Sequence, residues 1–145
     1  MSITKPKPLK LTRPEPTEAI VQSSILKALA LHPAVAWHGR FNSGASTVGE
    51  GKALRFVRYN TVAGCSDILG QLIDGRFLAI EVKRPSGKVT PDQAVFLAKV
   101  QKNGGVAFVA RSVDEAWKVL DGVMRDRNSA NENAQVGELV TLAGR

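Results

Sequence analysis

The spacing of apolar residues changes along the chain from a helical period to short strand-like runs. Between Thr17 and His32 the apolar residues follow helical spacing, and Pro33 ends the pattern, which predicts a first helix. Residues 35–41 then predict a short strand. The Gly- and Ser-rich residues 42–64 predict a long functional loop, which can include one helical turn.

Two apolar runs, residues 66–73 and 76–83, flank the dipeptide Asp74-Gly75. Asp-Gly between such runs is typical of a β-hairpin, so the sequence predicts two antiparallel strands. Asp67 opens the first run, and Glu81 lies near the end of the second. Antiparallel pairing therefore returns both acids to one end of the sheet.

The register of this hairpin decides whether the acids share a face. A two-residue turn would place Asp67 opposite Val82, on the other face of the sheet from Glu81. A three-residue loop of residues 73–75, whose glycine takes the left-handed conformation and forms a bulge, places Asp67 directly opposite Glu81. We prefer this second register. Lys83 then joins the two acids, because side chains two residues apart on a strand share a face.

A second helix is predicted from the spacing of Thr90, Pro91 and Gln93. Thr stands at the cap position, Pro at the first helical position, and Gln three residues beyond the cap. The helix should run to about Asn103, because Gly104-Gly105 follows and would end it.

The last elements are a strand and a helix. The short apolar run at residues 106–110 is typical of a strand buried in a parallel sheet. The unit from Phe77 to Ala110 is then expected to be a right-handed crossover with parallel strands. Ser112 and Glu115 predict a capping box for a last helix, which should reach about Met124.

Together these elements predict an α/β fold with a mixed sheet flanked by helices. Four prolines with interleaved basic residues predict that residues 1–16 form a flexible basic arm. A single folded domain is expected over residues 17–125. Residues 126–145 are predicted to form a flexible C-terminal tail, because they begin with a strongly polar stretch.

Charge and composition narrow the function classes. The formal net charge is +7, a positive field that would attract a polyanion such as nucleic acid. The single cysteine, Cys65, rules out an internal disulfide and fits a reducing compartment. No secretory leader is recognisable and no stretch is apolar enough to cross a membrane, so we expect a soluble protein without a membrane partner.

The chemistry-bearing residues are Asp67, Glu81 and Lys83. Two carboxylates can hold Mg²⁺ or Mn²⁺, and an ammonium beside them can orient a water and offset the charge that grows on a phosphoryl group. This set is suited to hydrolysis of a phosphodiester. The alternative is that Glu81 and Lys83 only solvate a strand end, because the tripeptide E-x-K is common. Residues 44–52 lack the spacing of a phosphate loop, so no nucleotide cofactor is expected.

Three segments resemble the PD-(D/E)xK nucleases and, within them, the VRR-NUC family. They are G-C-S-D-I-L-G at residues 64–70, L-A-I-E-V-K-R at 78–84, and T-P-D-Q at 90–93 after a Ser-Gly loop. The resemblance covers about residues 17–120. It implies a restriction-endonuclease-like mixed sheet with an α-β-β-β-α-β core, so that residues 17–125 would be a nuclease domain.

The resemblance also implies a metal site. An acidic residue on the first helix completes the metal environment in the family, and Glu18 stands at the matching place. The ligands would then be Asp67, Glu81, the backbone carbonyl of Val82, and Glu18, although Glu18 could instead serve only the helix dipole. Gln93 matches a family Gln that begins the helix after the E-x-K strand, and it could also be the return arm of a capping box.

Candidate nucleic-acid contacts come from two sources. The family has an Arg-Asn-Ser-Gly-like segment after its first β element. The corresponding segment here is R-F-N-S-G, with Phe41 interposed, which suggests Arg40, Asn42 and Ser43. Further basic residues that could face phosphates, or could simply form a solvated surface, are Lys52, Arg55, Arg58, Arg84 and Lys88.

These observations favour a divalent-metal-dependent DNA endonuclease. The alternative is a non-catalytic DNA-binding domain with a nuclease-like fold, which the intact Asp67, Glu81 and Lys83 disfavour. We find no separate reader of sequence, so selectivity should come from DNA shape. The resemblance suggests branched DNA such as a four-way junction, with a monomeric nickase or a flap nuclease as the alternative. It also implies a role in DNA repair and the cytoplasm of a bacterial or phage-infected cell. Coordinated cutting of two strands needs two active sites, which a homodimer would supply.

Overall fold

A four-stranded sheet forms the centre of the computed structural model, which describes residues 13–41, 44–58 and 60–143. The strands and helices follow the predicted order, with one addition between the first strand and the hairpin. In chain order they are α1 Glu18–Leu29, β1 Val35–Arg40, β2 Ala45–Val48, β3 Arg55–Arg58, β4 Ile68–Leu72, β5 Phe77–Val82, α2 Pro91–Lys102, β6 Val106–Ala110 and α3 Val113–Ala143.

The central sheet has the strand order β1-β4-β5-β6. The pairs β1–β4 and β4–β5 are antiparallel, and β6 runs parallel to β5. Helix α2 connects the two parallel strands, as expected for a crossover. The mixed sheet with its three helices confirms the predicted α/β, nuclease-like fold class.

The two faces of the sheet are covered by different helices. On one face, Ile80 and its even-numbered neighbours pack against Ile25 of α1 and Leu120 of α3. On the other face, Ala79 packs with Leu69 and with residues of α2. Because side chains alternate along a strand, the odd-numbered residues at the end of β5 lie on the α2 face.

The β4–β5 hairpin has the preferred register. Gln71 pairs with Phe77 and Ile68 with Ile80, so one further step places Asp67 opposite Glu81. Residues 73–75 form the loop, and Gly75 has a φ of +91°. The Gly75 amide and the Arg76 carbonyl both bond to Leu72, which is the predicted bulge of two residues against one. The predicted three-residue loop is confirmed.

The expectation of a long loop at residues 42–64 is wrong in part. Strands β2 and β3 form a separate antiparallel two-stranded sheet, joined through a short 3₁₀ turn at Gly51–Ala53. We call residues 44–58 the ribbon. Each strand has only four residues, and its β-branched and aromatic residues are too few to produce a clear alternating pattern. The helical turn within this stretch is confirmed.

The last helix does not end near Met124 but continues to Ala143. Low hydropathy after Met124 suggested disorder, yet this stretch contains no proline and several good helix formers, so nothing in it stops a helix. Ser112 accepts a hydrogen bond from the Glu115 amide as predicted, whereas the Glu115 carboxylate accepts from Arg111. The division of the chain at residues 16 and 125 stays a prediction, and residues 1–12 of the arm lie outside the described residues.

Candidate active site

Asp67 lies at the start of β4, where three other segments hold it. Its Oδ2 accepts a hydrogen bond of 2.9 Å from the backbone amide of Val82 on β5. Its backbone carbonyl accepts from the amide of Phe41 at 2.8 Å and from the side chain of Gln22 at 3.5 Å. The Asp67 carboxylate is therefore fixed against the end of β5.

Glu81 is completely buried on the α2 face of the sheet. Its Oε1 accepts hydrogen bonds from the Lys83 ammonium, at 2.7 Å, and from the Gln93 side-chain amide. Its Oε2 is buried and has no hydrogen-bond partner. Burial raises the pKa of Glu81 to about 7, and the neighbouring Asp67 carboxylate adds to the rise, which the Lys83 ammonium only partly offsets.

Lys83 stands between two acids on different elements. Its Nζ lies 2.7 Å from Glu81 Oε1 and 3.9 Å from Glu18 Oε2 at the start of α1. Burial acts to lower the pKa of Lys83, but the hydrogen bond and negative charge of Glu81 outweigh it, so the pKa is raised. Lys83 is therefore an ammonium at neutral pH.

Gln93 connects helix α2 to the Glu81–Lys83 pair through the oxygen and the nitrogen of its side-chain amide. Its side-chain oxygen accepts a hydrogen bond of 2.9 Å from the backbone amide of Thr90. In return, the Thr90 hydroxyl accepts one of 3.3 Å from the backbone amide of Gln93. This is the predicted capping box. The side-chain nitrogen remains free for Glu81. The capping box and the hydrogen bond to Glu81 thus coexist in one side chain.

Gly64 fixes the approach of the chain to Asp67. It has a φ of +67°, and a Cβ added there would overlap the backbone of Asp92 and Gln93 at the start of α2. Only glycine allows this close approach of two backbones. The first turn of α2 and the segment that leads into β4 are therefore in direct contact.

A cleft of about 210 Å³ opens beside Asp67. Its walls include Glu18 and Gln22 of α1 and Arg40 at the end of β1. A larger cleft of about 580 Å³ lies at the far end of the hairpin, around Asp74, away from Asp67 and Glu81. The small cleft is the one that gives access to Asp67.

Comparison with protein families places this site in a known context. The family model of the VRR-NUC domain matches residues 17–114. The chain belongs to the VRR-NUC family. The match spans Glu18, Asp67, Glu81, Lys83 and Gln93, so the whole arrangement lies within the VRR-NUC domain. VRR-NUC is a nuclease domain, which gives the chain a nuclease-type, DNA-related function. Searches of curated proteins and of solved structures found no match.

The carboxylates of this VRR-NUC domain fit a divalent cation in one respect. Glu81 Oε2 is a buried oxygen without a partner, which is costly unless a cation or a proton satisfies it. Across the part of the chain that the structure describes, however, no three His, Cys, Asp or Glu side chains are arranged to hold a metal. Glu18 is half exposed and faces Lys83. The acids that could hold a cation here are thus Asp67 and Glu81. The backbone amide of Val82 donates to Asp67, which brings the Val82 backbone to the same place.

The candidate DNA-contacting residues of the VRR-NUC chain fall into three groups. Arg40 lines the cleft at Asp67. Arg84 and Lys88 are exposed on the segment between β5 and α2. Lys52 and Arg55 are exposed on the ribbon, which is a separate sheet. Three predicted contacts cannot be placed, because Asn42, Ser43 and the side chain of Arg58 lie outside the described residues.

Two further contributors were not predicted. Gln22 is buried, lines the cleft and reaches the Asp67 carbonyl. Its signal was a polar residue four positions after Glu18, on the same helix face, inside an otherwise apolar stripe. Glu15 binds Ser86 in the segment that follows Lys83. This contact has no sequence signal, since 71 residues separate its partners.

None of the helices in the described ranges is long and apolar enough to span a bilayer.

Proposed function

We propose that this VRR-NUC chain is a divalent-metal-dependent endonuclease that hydrolyses DNA phosphodiester bonds. One observation carries the proposal. The carboxylates of Asp67 and Glu81 lie side by side at one end of the sheet, with a buried unpartnered oxygen on Glu81 and the Lys83 ammonium 2.7 Å from its other oxygen. A buried acid such as Glu81, with one oxygen unpartnered, costs stability, which favours a functional role over a purely structural one.

Asp67 and Glu81 would hold Mg²⁺ or Mn²⁺, together with the backbone carbonyl of Val82 and Glu18. A bound cation of this kind supplies Lewis-acid polarisation of the phosphoryl group and lowers the pKa of water. Glu18 would join these ligands by turning away from Lys83, whose Nζ lies 3.9 Å from its Oε2. Its half-exposed side chain leaves it the freedom to do so.

Lys83 and Gln93 serve the same acids in different ways. Lys83 donates to Glu81 and remains charged, so it can also donate to a nonbridging phosphate oxygen and orient the attacking water. Gln93 donates to Glu81 from a helix end that its own capping box fixes. In this proposal Gln93 is a positioning residue, which holds the Glu81 carboxylate in one orientation.

The DNA would approach along the cleft at Asp67. Arg40 stands on its wall, and Arg84 and Lys88 are exposed just beyond Lys83. Together with the net charge of +7, they favour a negatively charged backbone at this edge of the sheet. Lys52 would extend the contact onto the ribbon, with Arg55 and Arg58 beside it in the sequence.

The proposed substrate is branched DNA such as a four-way junction, cut by paired incisions in a homodimer. The proposal is supported by the ribbon, which exposes large apolar side chains that a monomer would leave in water: Val48, Leu54, Phe56 and Val57. A second copy would cover these side chains and set two active sites at a fixed spacing. Selectivity would then follow from DNA shape, since one fixed spacing fits a junction differently from a linear duplex.

The decisive experiment is cleavage of labelled linear, flap and junction DNAs, and of a matched RNA, by the purified protein. Cleavage should require Mg²⁺ or Mn²⁺, and Asp67→Asn should abolish it. Asp74→Asn is the matched control, because Asp74 is an acid at the opposite end of the same hairpin. DNA binding without metal-dependent cleavage would favour the rival function, a non-catalytic DNA-binding domain. Cleavage of RNA alone would overturn the DNA assignment.

A further inference from the structure

The segment directly after Lys83 forms a fixed turn. The Gly87 amide donates to the Arg84 carbonyl at 2.8 Å, and Arg111 at the end of β6 donates to the Gly87 carbonyl at 3.2 Å. Gly87 also lies against the stem of Lys83, since a Cβ added at Gly87 would be only 3.2 Å from the Lys83 Cβ. We call residues 84–87 the Ser86 turn. It is attached to the site and braced from a neighbouring strand.

Ser86 presents two donors to one carboxylate. Its backbone amide donates to Oε1 of Glu15, and its hydroxyl donates to Oε2 of the same group at 2.8 Å. These hydrogen bonds, with a smaller contribution from the positive charge of Arg84, lower the pKa of Glu15. The turn is therefore a place where an oxyanion is bound through both of its oxygens.

The same donors suit a phosphodiester, which also presents two nonbridging oxygens and one negative charge. The Glu15 carboxylate occupies this place although it comes from a distant part of the chain and is exposed to solvent. An exposed carboxylate gains little net stability from such bonds, because water competes for them. A stronger anion with more contacts along the same surface would therefore displace it.

We propose that the Ser86 turn is a binding site for a DNA phosphate next to the scissile one, and that Glu15 occupies this site as an internal competitor until DNA displaces it. The identity of the ligand rests on the proposed function. Lys83 leads directly into the turn, so a phosphate bound there would set the register of the strand relative to the carboxylate pair.

The test is DNA binding by the full chain in a chelator, where cleavage does not occur. A short labelled duplex is titrated with wild type, Glu15→Gln, Ser86→Ala and the double variant. The control is Asp126→Asn, which shows the general effect of losing one exposed acid on α3. Glu15→Gln should tighten binding by about threefold to tenfold, and Asp126→Asn by less than about twofold. With Ser86→Ala present, Glu15→Gln should give a smaller gain than it does beside Ser86, because the hydroxyl donor is lost while the backbone amide remains.

Three outcomes would overturn the proposal: an equal gain from Glu15→Gln and Asp126→Asn, a gain that Ser86→Ala leaves unchanged, or weaker binding by Glu15→Gln. The last would make Glu15 an anchor. A second measurement uses inorganic phosphate as probe. The NMR signal of the Ser86 amide should shift at lower phosphate concentration in Glu15→Gln than in wild type. Because neither readout requires hydrolysis, a protein that binds but never cleaves would refute the nuclease proposal and leave the Ser86 turn as a phosphate site with Glu15 as its competitor.

Discussion

The backbone amide of Val82 donates to the Asp67 carboxylate across the two strands of the hairpin, although 15 residues separate them. This bond ties the Asp67 carboxylate to the end of β5. Glu81, on the same strand, keeps one oxygen without a partner. The two acids thus meet at one end of the sheet, where Glu81 has an oxygen to offer.

Substitution within the acid pair and its lysine should stop cleavage while sparing the fold. Glu81→Gln and Lys83→Ala should each lower the cleavage rate by orders of magnitude, because each removes a charge at the reacting phosphate. Binding to DNA in a chelator should survive in both variants. Rates are measured under single-turnover conditions, with circular dichroism to confirm folding. A Lys83→Ala protein that cleaved at the wild-type rate would remove the lysine from the mechanism.

Gln93 allows its two roles to be separated. Gln93→Glu keeps an acceptor for the capping box but loses the amide that donates to Glu81, whereas Gln93→Ala loses both. Both should lower kcat by about tenfold with little change in DNA affinity, since neither touches the DNA surface. Gln93→Ala should lower thermal stability by losing the capping box, and Gln93→Glu by placing a second carboxylate beside Glu81. If Gln93→Glu cleaved normally, the capping box would be the whole role of this residue.

Glu81 should make the stability of the metal-free protein depend on pH. Its pKa is about 7 in the folded chain, against an ordinary value of 4.5 that applies after unfolding. Between these values the folded state binds more protons, so the free energy of unfolding falls as pH rises, by up to about 3 kcal/mol in total. The contribution is complete below the lower pKa and lost above the higher one.

Thermal melts in a chelator across this pH window provide the measurement, with Glu81→Gln as the reference. The difference between the two proteins should change with pH in the stated direction, and parallel melting curves would contradict it. Excess Mn²⁺ should reduce the slope, because a cation at the carboxylates favours their charged form. A slope that Mn²⁺ left unaltered would argue against a cation at Glu81.

The basic arm should contribute to affinity through charge alone. Deleting residues 1–14 removes Lys5, Lys7, Lys10 and Arg13 and retains Glu15. DNA binding should weaken and its dependence on salt should flatten, since fewer counterions are released, while catalysis at saturating DNA persists. Fluorescence anisotropy over a salt series gives the slope. The same slope with and without residues 1–14 would show that the arm does not contact DNA.

The dimeric junction-resolving proposal makes a prediction about the ribbon. Sedimentation at micromolar concentration should show a dimer, and Phe56→Ser should shift it toward monomer, because Phe56 is among its most exposed apolar side chains. Val95→Ser is the control, as a similarly exposed apolar residue on α2. Junction cleavage should fall with Phe56→Ser more than nicking of linear duplex does. A monomer that cut both substrates equally well would refute the dimer and leave the nuclease proposal standing.

The sequence was sufficient wherever a few neighbouring residues determine the geometry. Asp74 and Gly75 fixed the hairpin loop, which in turn placed Asp67 opposite Glu81. Thr90 and Gln93 defined the start of α2 through their own hydrogen bonds. The hairpin loop and the helix cap each depend on residue types within a span of a few positions, so both can be predicted from the sequence alone.

The features that were missed depend on distant partners or on weak patterns. The pairing of Glu15 with Ser86 joins remote segments through groups that are common on any surface. The bond from Gln22 to Asp67 requires knowing how α1 crosses the sheet. Helix α3 continues past Met124 because nothing in its sequence stops it, although hydropathy alone favours disorder there. Local propensity and tertiary packing had to be known together in each case.

The ribbon leaves the central sheet after Arg40, and the chain returns to the sheet only at Gly64 and Asp67. Asp67 takes its position from the hairpin, from the amide of Phe41 and from the contact of Gly64 with α2, whereas the ribbon is a separate sheet. The ribbon can therefore change in length or composition while the acids stay in place. Related nucleases could acquire new substrate preferences by exchanging this one insert, and a designer could graft a foreign binding element there without rebuilding the hydrolytic centre.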